Sequence, residues 1–429
     1  MKKYRDTFRP LGPFLLLWGT QALSALGSGM TGFALILWSY GQSGSALTTA
    51  LLSVCSYAPY VVMSMLSGAL SDRWNKKVTM LVCDAFAVLC TLTVLVLYKA
   101  NSLQVWHLYL LNALNGLMNT FQQPASDVST TLLLPEKYFQ KVGALKGFSN
   151  SLTTILTPVL AAAVYTLLGL DAVIWADVFT FAVAFSVLLF GIHIPKIEQR
   201  QEKKETVWQS IRAGLDYLKK HPGIFHVMLF LAAINFTASI YNAALPALIL
   251  PHPRGGENAL GLQNAVTGTA MLLGSLLALK SKTPKSRVRV ICNTLLLSMC
   301  TENFFLALGH HSVWWAVGAV AGWIAIPLMN TNLDALLRHY IPVDIQGRVY
   351  AARNTFQFFT IPLGYLAGGF LVDKVFEPLM AEKSGHFLNV LFGTGKSSGA
   401  AMLFFCIAFL GTVTCLIFRK DRHIWELEK

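Results

Sequence analysis

Charged residues are scarce in this 429-residue chain: Asp, Glu, Lys and Arg make up only 13% of it, whereas 54% is hydrophobic. This balance is far from that of a soluble globular domain. The basic residues give a formal net charge of +13, but they are scattered over short segments rather than gathered on one surface. The composition therefore favours an integral membrane protein in a lipid bilayer and argues against a nucleic-acid partner.

Motifs of catalysis and of metal or nucleotide binding are missing as well. No HExxH or GxSxG motif occurs, and no apolar run carries two paired acids at its middle. The seven cysteines all fall within apolar runs and form no CxxC pair, which is typical of packing residues. A GKS tripeptide ends at Ser397, but Val390 stands where a P-loop needs its first glycine. We therefore expect no enzymatic activity, no metal site and no cofactor.

Long apolar runs are what the chain has in abundance. Each has about 20 residues, enough at ~1.5 Å per residue to cross a ~30 Å hydrocarbon core as a helix. The sequence predicts an all-α membrane protein with 12 transmembrane helices. The runs lie near residues 14–39, 47–70, 78–98, 104–126, 143–168, 172–191, 224–249, 260–279, 290–308, 313–336, 349–372 and 399–418.

The basic residues are distributed unevenly between alternate connections. With the N-terminus inside, 29 of the 34 Lys and Arg residues fall in cytoplasmic segments, and none lies in the middle of a run. The positive-inside rule therefore predicts a cell-membrane protein with both termini in the cytoplasm. The five basic residues left outside are Lys99, Arg254, Lys374, Lys383 and Lys396.

The longest inner connection divides the chain into two groups of six runs. Within it, Ile211, Leu215 and Leu218 recur at helical spacing and predict an amphipathic surface helix. We expect an N-terminal six-helix bundle over 1–192, a cytoplasmic linker over 193–223 and a C-terminal six-helix bundle over 224–429.

The two halves carry the same residue pattern at a constant offset of 207 positions. A constant offset across several positions indicates an internal repeat of six helices. Parallel repeats of this kind are a transporter architecture, with the substrate site expected near mid-membrane at the interface of the halves. The matched pairs are Asp127 and Asp334, Pro135 and Pro342, Lys141 and Arg348, and Lys146 and Arg353.

The loop after the second run reads GALSDRWNKK, from Gly68 to Lys77. It resembles the Gly-x-Leu-x-Asp-Arg-x-Gly-Arg-Lys loop of the major facilitator superfamily. Asn75 replaces the usual glycine, and we expect it to adopt a positive φ there. The stretches SIRAGLDYLKKHPG, IPVDIQGRV and DKVFEPLM resemble the drug-exporter branch that includes bacterial macrolide efflux proteins. The resemblance covers essentially the whole chain and implies the major facilitator fold in a bacterial inner membrane.

The resemblance also implies a cytoplasmic gate. In the superfamily this loop latches the two halves, its aspartate interacting with the start of the eleventh helix. The residues that would form the gate here are Gly68, Asp72, Arg73, Lys76, Lys77 and Arg348.

Polar residues form stripes along several of the apolar runs. Because polar groups facing lipid are costly, such faces point to a water-filled cavity or to other helices. The superfamily lines its central cavity with the first, fourth, seventh and tenth helices, and helix–helix hydrogen bonding is the alternative reading. The predicted cavity residues are Gln21, Ser24, Ser28, Thr31, Tyr57, Tyr60, Asn112, Asn115, Asn119, Gln122, Asn235, Ser239 and Asn242.

Four acidic residues within or at the ends of the runs are candidates for proton coupling. An ionisable residue in a span is often part of a proton relay. Asp84 and Glu302 fall inside the third and ninth runs, whereas Asp127 and Asp334 end the fourth and tenth. A structural role is the alternative for each of them.

These features together predict a secondary transporter that exports bulky amphipathic compounds, macrolide-like or multidrug, by alternating access, as a monomeric proton antiporter. The driving gradient could be protons or sodium. An exporter of a siderophore or metabolite, or a lysophospholipid transporter, is the alternative within the same fold. A non-transporting sensor or an intramembrane enzyme lacks the soluble domain or the catalytic residues that it would need.

Overall fold

The computed structural model describes residues 12–133, 139–194, 212, 216–282, 284–341, 346–382 and 387–428. Every regular element among these residues is a helix. The chain divides into two compact units, Met1–Trp38 with Cys55–Glu205 and Ser39–Val54 with Thr206–Lys429. The second unit thus includes the end of the first helix and the beginning of the second. In the predicted linker helix, residues 212 and 216–220 are helical and the others lie outside the described ranges.

Six helices belong wholly or mainly to the first unit. The last of them ends in a π-helical turn, Val187–Gly191. They are α1 (Gly12–Ser43), α2 (Ala46–Arg73), α3 (Lys76–Lys99), α4 (Val105–Leu132), α5 (Phe139–Leu168) and α6 (Leu170–Ser186).

The second unit repeats this series with one helix broken and several short ones added. A π-helical turn, Leu371–Phe376, follows the twelfth helix. The helices are α7 (Pro222–Ile249), α8 (Glu257–Lys280), α9 (Arg287–Leu308), α10 (Ser312–Trp323), α11 (Ile326–Tyr340), α12 (Gln346–Phe370), α13 (Glu377–Glu382), α14 (Phe387–Phe392), α15 (Ser398–Arg419) and α16 (Arg422–Glu426).

The described helices account for the twelve predicted spans. Eleven segments are long and apolar enough to cross a membrane, one of them running through α10 and α11 as Ser312–Leu337. The twelfth is α4, whose 28 residues suffice to span but whose stripe of Asn and Gln lowers its hydropathy. The prediction of an all-α protein with 12 transmembrane helices is confirmed.

Helix α7 forms much of the core of the second unit. Its side chains Phe230, Leu231 and Ile234 are almost completely buried and pack in one cluster with Leu333 and Leu336 of α11. A helix that is apolar on nearly all sides is expected at the centre of a bundle. This burial extends to polar side chains of α7, since Thr237 and Ser239 are also buried.

Gly116 allows a close helix contact within the first unit. A Cβ atom at this position of α4 would collide with the backbone carbonyl oxygen of Ser56 in α2. Backbone atoms cannot move aside without shifting the helix, so only glycine fits here. The contact fixes α4, and with it the polar stripe of that helix, against α2.

Gly116→Ala will therefore destabilise the protein by about 1–3 kcal/mol, the usual effect of overpacking. Gly19→Ala is the matched control, because a Cβ there meets nothing within 4 Å. Removing a helical glycine makes the control neutral or slightly stabilising. Thermal unfolding of the detergent-solubilised variants measures both effects. Equal melting profiles for the two variants would show that the α2–α4 contact is not tight.

Two acids near the end of α12 cap helix N-termini in the second unit. Asp373 accepts hydrogen bonds from the Ser45 hydroxyl (2.5 Å) and from the backbone N–H groups of Ala46 (3.0 Å) and Leu47 (2.8 Å). It thereby caps α2. Glu377 accepts from the N–H groups of Ser397 (3.1 Å) and Ala400 (3.3 Å) and caps α15.

The C-terminal segment folds back onto the second unit. Asp421 accepts a hydrogen bond from the His226 ring (2.5 Å) and caps α16 through the N–H of His423. Partial burial alone raises the pKa of Asp421, but these hydrogen bonds and the nearby histidines outweigh it, so the pKa lies below its usual value. The aspartate is therefore ionised at neutral pH and holds the segment to His226, near the start of α7.

Candidate functional site

Eight predicted cavity residues of α1 and α4 lie around one cavity in the first unit. The cavity has a volume of about 370 Å³, and hydroxyl and amide groups supply most of its polar lining. Helical spacing explains the grouping, because residues three or four apart share a face. The eight residues are Gln21, Ser24, Ser28, Thr31, Asn112, Asn115, Asn119 and Gln122.

Asp84 reaches the same cavity from α3. Its carboxylate accepts hydrogen bonds from the amide nitrogens of Gln122 and, at 3.5 Å, of Gln21. One amide comes from α4 and the other from α1, so the carboxylate is held between the two helices that carry the polar stripes. This position makes Asp84 the acid best placed to respond to what occupies the cavity.

Asp177 is a second carboxyl group at this cavity, contributed by α6. It is 3% exposed and accepts hydrogen bonds from the hydroxyls of Ser28 (2.9 Å) and Thr91 (3.5 Å). These contacts bind α6 to α1 and α3, which indicates a structural role. Thr91 was not among the predicted site residues. Its position seven residues after Asp84 on one helix face is the sequence signal that could have found it.

A second cavity of about 480 Å³ adjoins the first within the same unit. Gln21 and Gln122, the two amide partners of Asp84, line both cavities, and so does Asn119. The second cavity also holds the indole of Trp18, whose buried N–H has no hydrogen-bond partner among the described residues. A change at either cavity therefore reaches Asp84 through the same two side chains.

The second unit contains a smaller cavity of about 270 Å³. Asn235 of α7 and Glu302 of α9 both line it, together with Tyr241. The Tyr241 hydroxyl donates a hydrogen bond to Glu302 Oε1 at 2.7 Å. The sequence places Glu302 inside the ninth run, but it gives no sign of its pairing with Tyr241.

Four predicted cavity residues do not line any of these three cavities. Tyr57 is 42% exposed, and Tyr60 is partly buried in the first unit. Ser239 is buried and donates to the backbone oxygen of Asn235, while Asn242 is exposed. The Ser239 bond stays within α7, so it is neither the predicted cavity contact nor the helix–helix hydrogen bond of the alternative reading.

Lys77 of the predicted gate serves as a helix anchor. Its ammonium group donates to the backbone oxygens of Leu189 (2.9 Å) and Ile192 (2.7 Å), at the end of the span formed by α6 and its π-helical turn. A cation here satisfies carbonyl groups that have no partner inside the helix. Lys76, the other predicted gate lysine, is 6% exposed.

Lys77→Met will leave both carbonyl groups without their charged donor and lower stability by about 1–3 kcal/mol. Lys99→Met is the matched control, because Lys99 lies exposed in the last turn of the same helix. The control should change stability by at most a few tenths of a kcal/mol. Thermal unfolding in detergent compares the two, and equal losses would rule out the anchor.

The expectation of a positive φ at Asn75 is wrong. Asn75 has φ −66°, and its side chain accepts hydrogen bonds from the N–H groups of Lys77 and Val78. It is the N-cap of α3, a role in which asparagine is among the preferred residues. The departure from glycine is thus explained by capping and not by a left-handed turn.

The remaining predicted site residues receive little or no side-chain description. Asp334 is exposed on α11. The side chains of Asp72, Arg73, Asp127 and Arg348 and the surroundings of Gly68 lie outside the described part, although all five backbones are helical. Their gate and coupling roles stay predictions.

Comparison with known proteins identifies the family. The sequence pattern of the Major Facilitator Superfamily matches residues 17–365. The chain belongs to the major facilitator superfamily. Membership points to a transporter rather than an enzyme, and it confirms the predicted fold class.

Two relatives illustrate the similarity of this major facilitator protein to known sequences. Macrolide efflux protein A of Streptococcus pyogenes is 24% identical over 367 residues, which cover 84% of this chain and 90% of that protein. The uncharacterized MFS-type transporter YfiS of Bacillus subtilis (strain 168) is 23% identical over 383 residues, 86% and 89% of the two chains. The similarity thus extends over most of each protein.

Solved structures share the fold. A point mutant of the nucleoside transporter NupG superposes with a TM-score of 0.68 at 14% identity over 94% of this chain and 98% of that one. A bacterial homologue of the iron transporter ferroportin, in an inward-facing state, gives a TM-score of 0.66 at 14% identity, with coverage of 96% and 99%. These neighbours establish the major facilitator fold for the chain.

Proposed function

We propose that this protein exports bulky amphipathic compounds of the macrolide or multidrug type by alternating access, as a proton antiporter. The observation that carries the proposal is the cavity of the first unit, where neutral amides and hydroxyls surround the single pair Asp84 and Asp177. The relatives named macrolide efflux protein A support the direction and class of transport. The transporter lies in a bacterial cell membrane with both termini in the cytoplasm.

The lining of the cavities favours an amphipathic substrate over a strong anion. No lysine or arginine is among the residues that line the three cavities of the described structure. A phosphate ester or dicarboxylate would need such a cation as its partner. Neutral hydrogen-bonding groups beside apolar walls are instead typical of sites that hold large, weakly polar ligands.

Asp84 is the proposed proton site. Its two glutamine partners line both cavities of the first unit, so a substrate in either cavity can hold the amides in place against the carboxylate. A carboxyl group that keeps its hydrogen-bond donors favours the ionised form, so substrate binding expels the proton, as an antiporter requires. Binding and protonation are thereby coupled through Gln21 and Gln122.

Everted membrane vesicles test the function directly. Respiration acidifies their interior and quenches a pH-sensitive dye, so an antiporter releases the quench when its substrate is added. A macrolide, a lipophilic cation, a catecholate siderophore and a lysolipid are added in turn. Dequenching by the macrolide or the lipophilic cation supports proton-coupled drug export.

Membranes without the protein are the control for this assay. Dequenching by the siderophore or the lysolipid alone would replace the proposed substrate class with one of the alternatives. Transport that requires a sodium gradient and not a proton gradient would make sodium the coupling ion. No response to any compound, with insertion verified, would contradict proton-coupled export of these classes.

A further inference from the structure

Glu302 is a buried acid in the second unit, with no counter-ion among the described residues of its cavity. It is 4% exposed, accepts a hydrogen bond from the Tyr241 hydroxyl and shares its cavity with the Trp323 indole. No lysine, arginine or histidine is among the residues that line its cavity. An isolated carboxylate in a protein interior is strongly disfavoured unless a positive charge joins it. The cavity beside Glu302 is therefore electrostatically suited to a cationic guest.

An acceptor without a donor lies next to this carboxyl group. Asn303 is 3% exposed and lines the same cavity. Its Nδ2 donates to the backbone oxygen of Met299 at 2.9 Å, whereas its Oδ1 has no partner among the described residues. A buried acceptor without a donor is costly, so a guest with an N–H group would stabilise the site.

The walls of the cavity suit an organic cation rather than a bare metal ion. The rings of Tyr241 and Trp323, with centroids 6.5 Å apart, both line it, and aromatic faces attract ammonium groups. Leu231 and Met299 add apolar surface for alkyl substituents. A volume of about 270 Å³ admits an amino group with its substituents but not a whole bulky compound.

We propose that this cavity binds the protonated amine of a cationic amphipathic substrate, with Glu302 as its counter-ion and Asn303 Oδ1 as the acceptor of its N–H group. The proposal rests on the export function proposed above and deepens it by naming a chemical feature of the substrates. It also gives Asp84 and Glu302 different roles: Asp84 exchanges protons, and Glu302 recognises charge on the substrate.

Equilibrium binding to the purified full-length protein tests this site without any pH gradient. The probes are a radiolabelled lipophilic tertiary amine and an uncharged amide analogue with the same apolar scaffold. We expect Glu302→Gln to weaken binding of the amine roughly tenfold or more while leaving the amide unchanged. Glu302→Asp, which keeps the charge, should restore part of the preference. Replacing sodium chloride with potassium chloride in the buffer should leave the affinity for the amine unchanged.

Asn303→Leu provides an independent variant if Glu302→Gln unfolds in detergent. It removes the N–H acceptor but no charge, and it should also weaken the amine more than the amide. If the substitutions weaken the binding of both probes by the same factor in the folded variants, or if sodium displaces the amine, the ammonium site is contradicted. The proposed export function would not be affected by either result. Failure of the wild-type protein to bind or export either probe would overturn the proposed function and this site together.

Discussion

Asp84→Asn will abolish proton-driven export and leave substrate binding intact. In everted vesicles, the variant should release no more dye quench than membranes that lack the protein. Equilibrium binding of the same substrate to the purified variant should remain close to that of the wild type. The separation is expected because asparagine keeps the size of the side chain and one of its two acceptor oxygens but cannot carry a proton.

The geometry explains why this acid should have the larger effect. Asp84 is only half-buried at the cavity and receives both of its hydrogen bonds from amide side chains that also line the neighbouring cavity. Asp177 is 3% exposed and is held by the hydroxyls of Ser28 and Thr91. The first arrangement can change with the contents of the cavities, whereas the second ties helices together.

Asp177→Asn is therefore the matched control for Asp84→Asn. It removes a carboxyl group from the same cavity, and it should lower stability but retain coupled export in the protein that folds. Melting profiles recorded beside the dye assay separate the two effects. Loss of coupling in Asp177→Asn, with coupling kept in Asp84→Asn, would contradict the assignment of the proton site.

Asp373→Ala will open the capped end of α2. The aspartate accepts one hydroxyl and two backbone N–H bonds there, and removing it strands all three donors. Leaving such groups without a partner costs about 1–3 kcal/mol of stability in the capped state. If opening this end is part of the transport cycle, the open state becomes roughly five- to a hundredfold more populated.

Cysteine labelling measures this opening. Thr49 lies one turn inside α2 and is 4% exposed, so Thr49→Cys should react slowly with a membrane-impermeant maleimide. In intact cells, the labelling of Thr49→Cys should be faster when the protein also carries Asp373→Ala. Mass spectrometry of the labelled peptide measures the extent of labelling over time. The loop before α2 is on the side predicted to face outward.

Glu377→Ala is the matched control for this labelling experiment. It removes a capping acid four residues away, but the helix it caps is α15 instead of α2. It should therefore leave the reactivity of position 49 unchanged. Equal acceleration by both variants would indicate general loosening of the unit and would contradict a specific clasp at α2.

The helices could be predicted from the sequence because their physical cause is local. A run of about 20 apolar residues must form a helix to satisfy its backbone in lipid, whatever its neighbours are. The ends were less predictable: α1 extends to Ser43 and α2 to Arg73, beyond the apolar runs. Polar residues at a helix end add no hydropathy, so the runs underestimate the length of the helices.

The polar face of α4 could also be predicted, since one helix face follows from spacing alone. Asn112, Asn115, Asn119 and Gln122 all line the cavity of the first unit. The partners of these residues could not be predicted. The contacts of Asp84 with Gln21 and of Tyr241 with Glu302 join residues 63 and 61 positions apart, and no sequence pattern records which helix faces meet.

Capping contacts over long sequence distances were missed for the same reason. Asp373 caps α2 from 327 positions away, and the DKVFEPLM stretch that contains it carries no local signal of that cap. Asn75 shows the reverse case. Its cap is local, because the side chain accepts from the backbone N–H groups two and three residues later. An asparagine just before an apolar run is itself an N-cap signal.

Substrate-driven proton flux in proteoliposomes tests the central claim most directly. The purified protein is reconstituted alone, with a pH indicator inside and a macrolide or a lipophilic amine added under an imposed pH gradient. The account predicts that protons move in the direction opposite to the substrate. This movement should require both the substrate and the pH gradient, and it should be absent in Asp84→Asn. Substrate movement at the same rate without the pH gradient would contradict proton-coupled export. Substrate-driven proton movement of unchanged size in Asp84→Asn would contradict the role of Asp84.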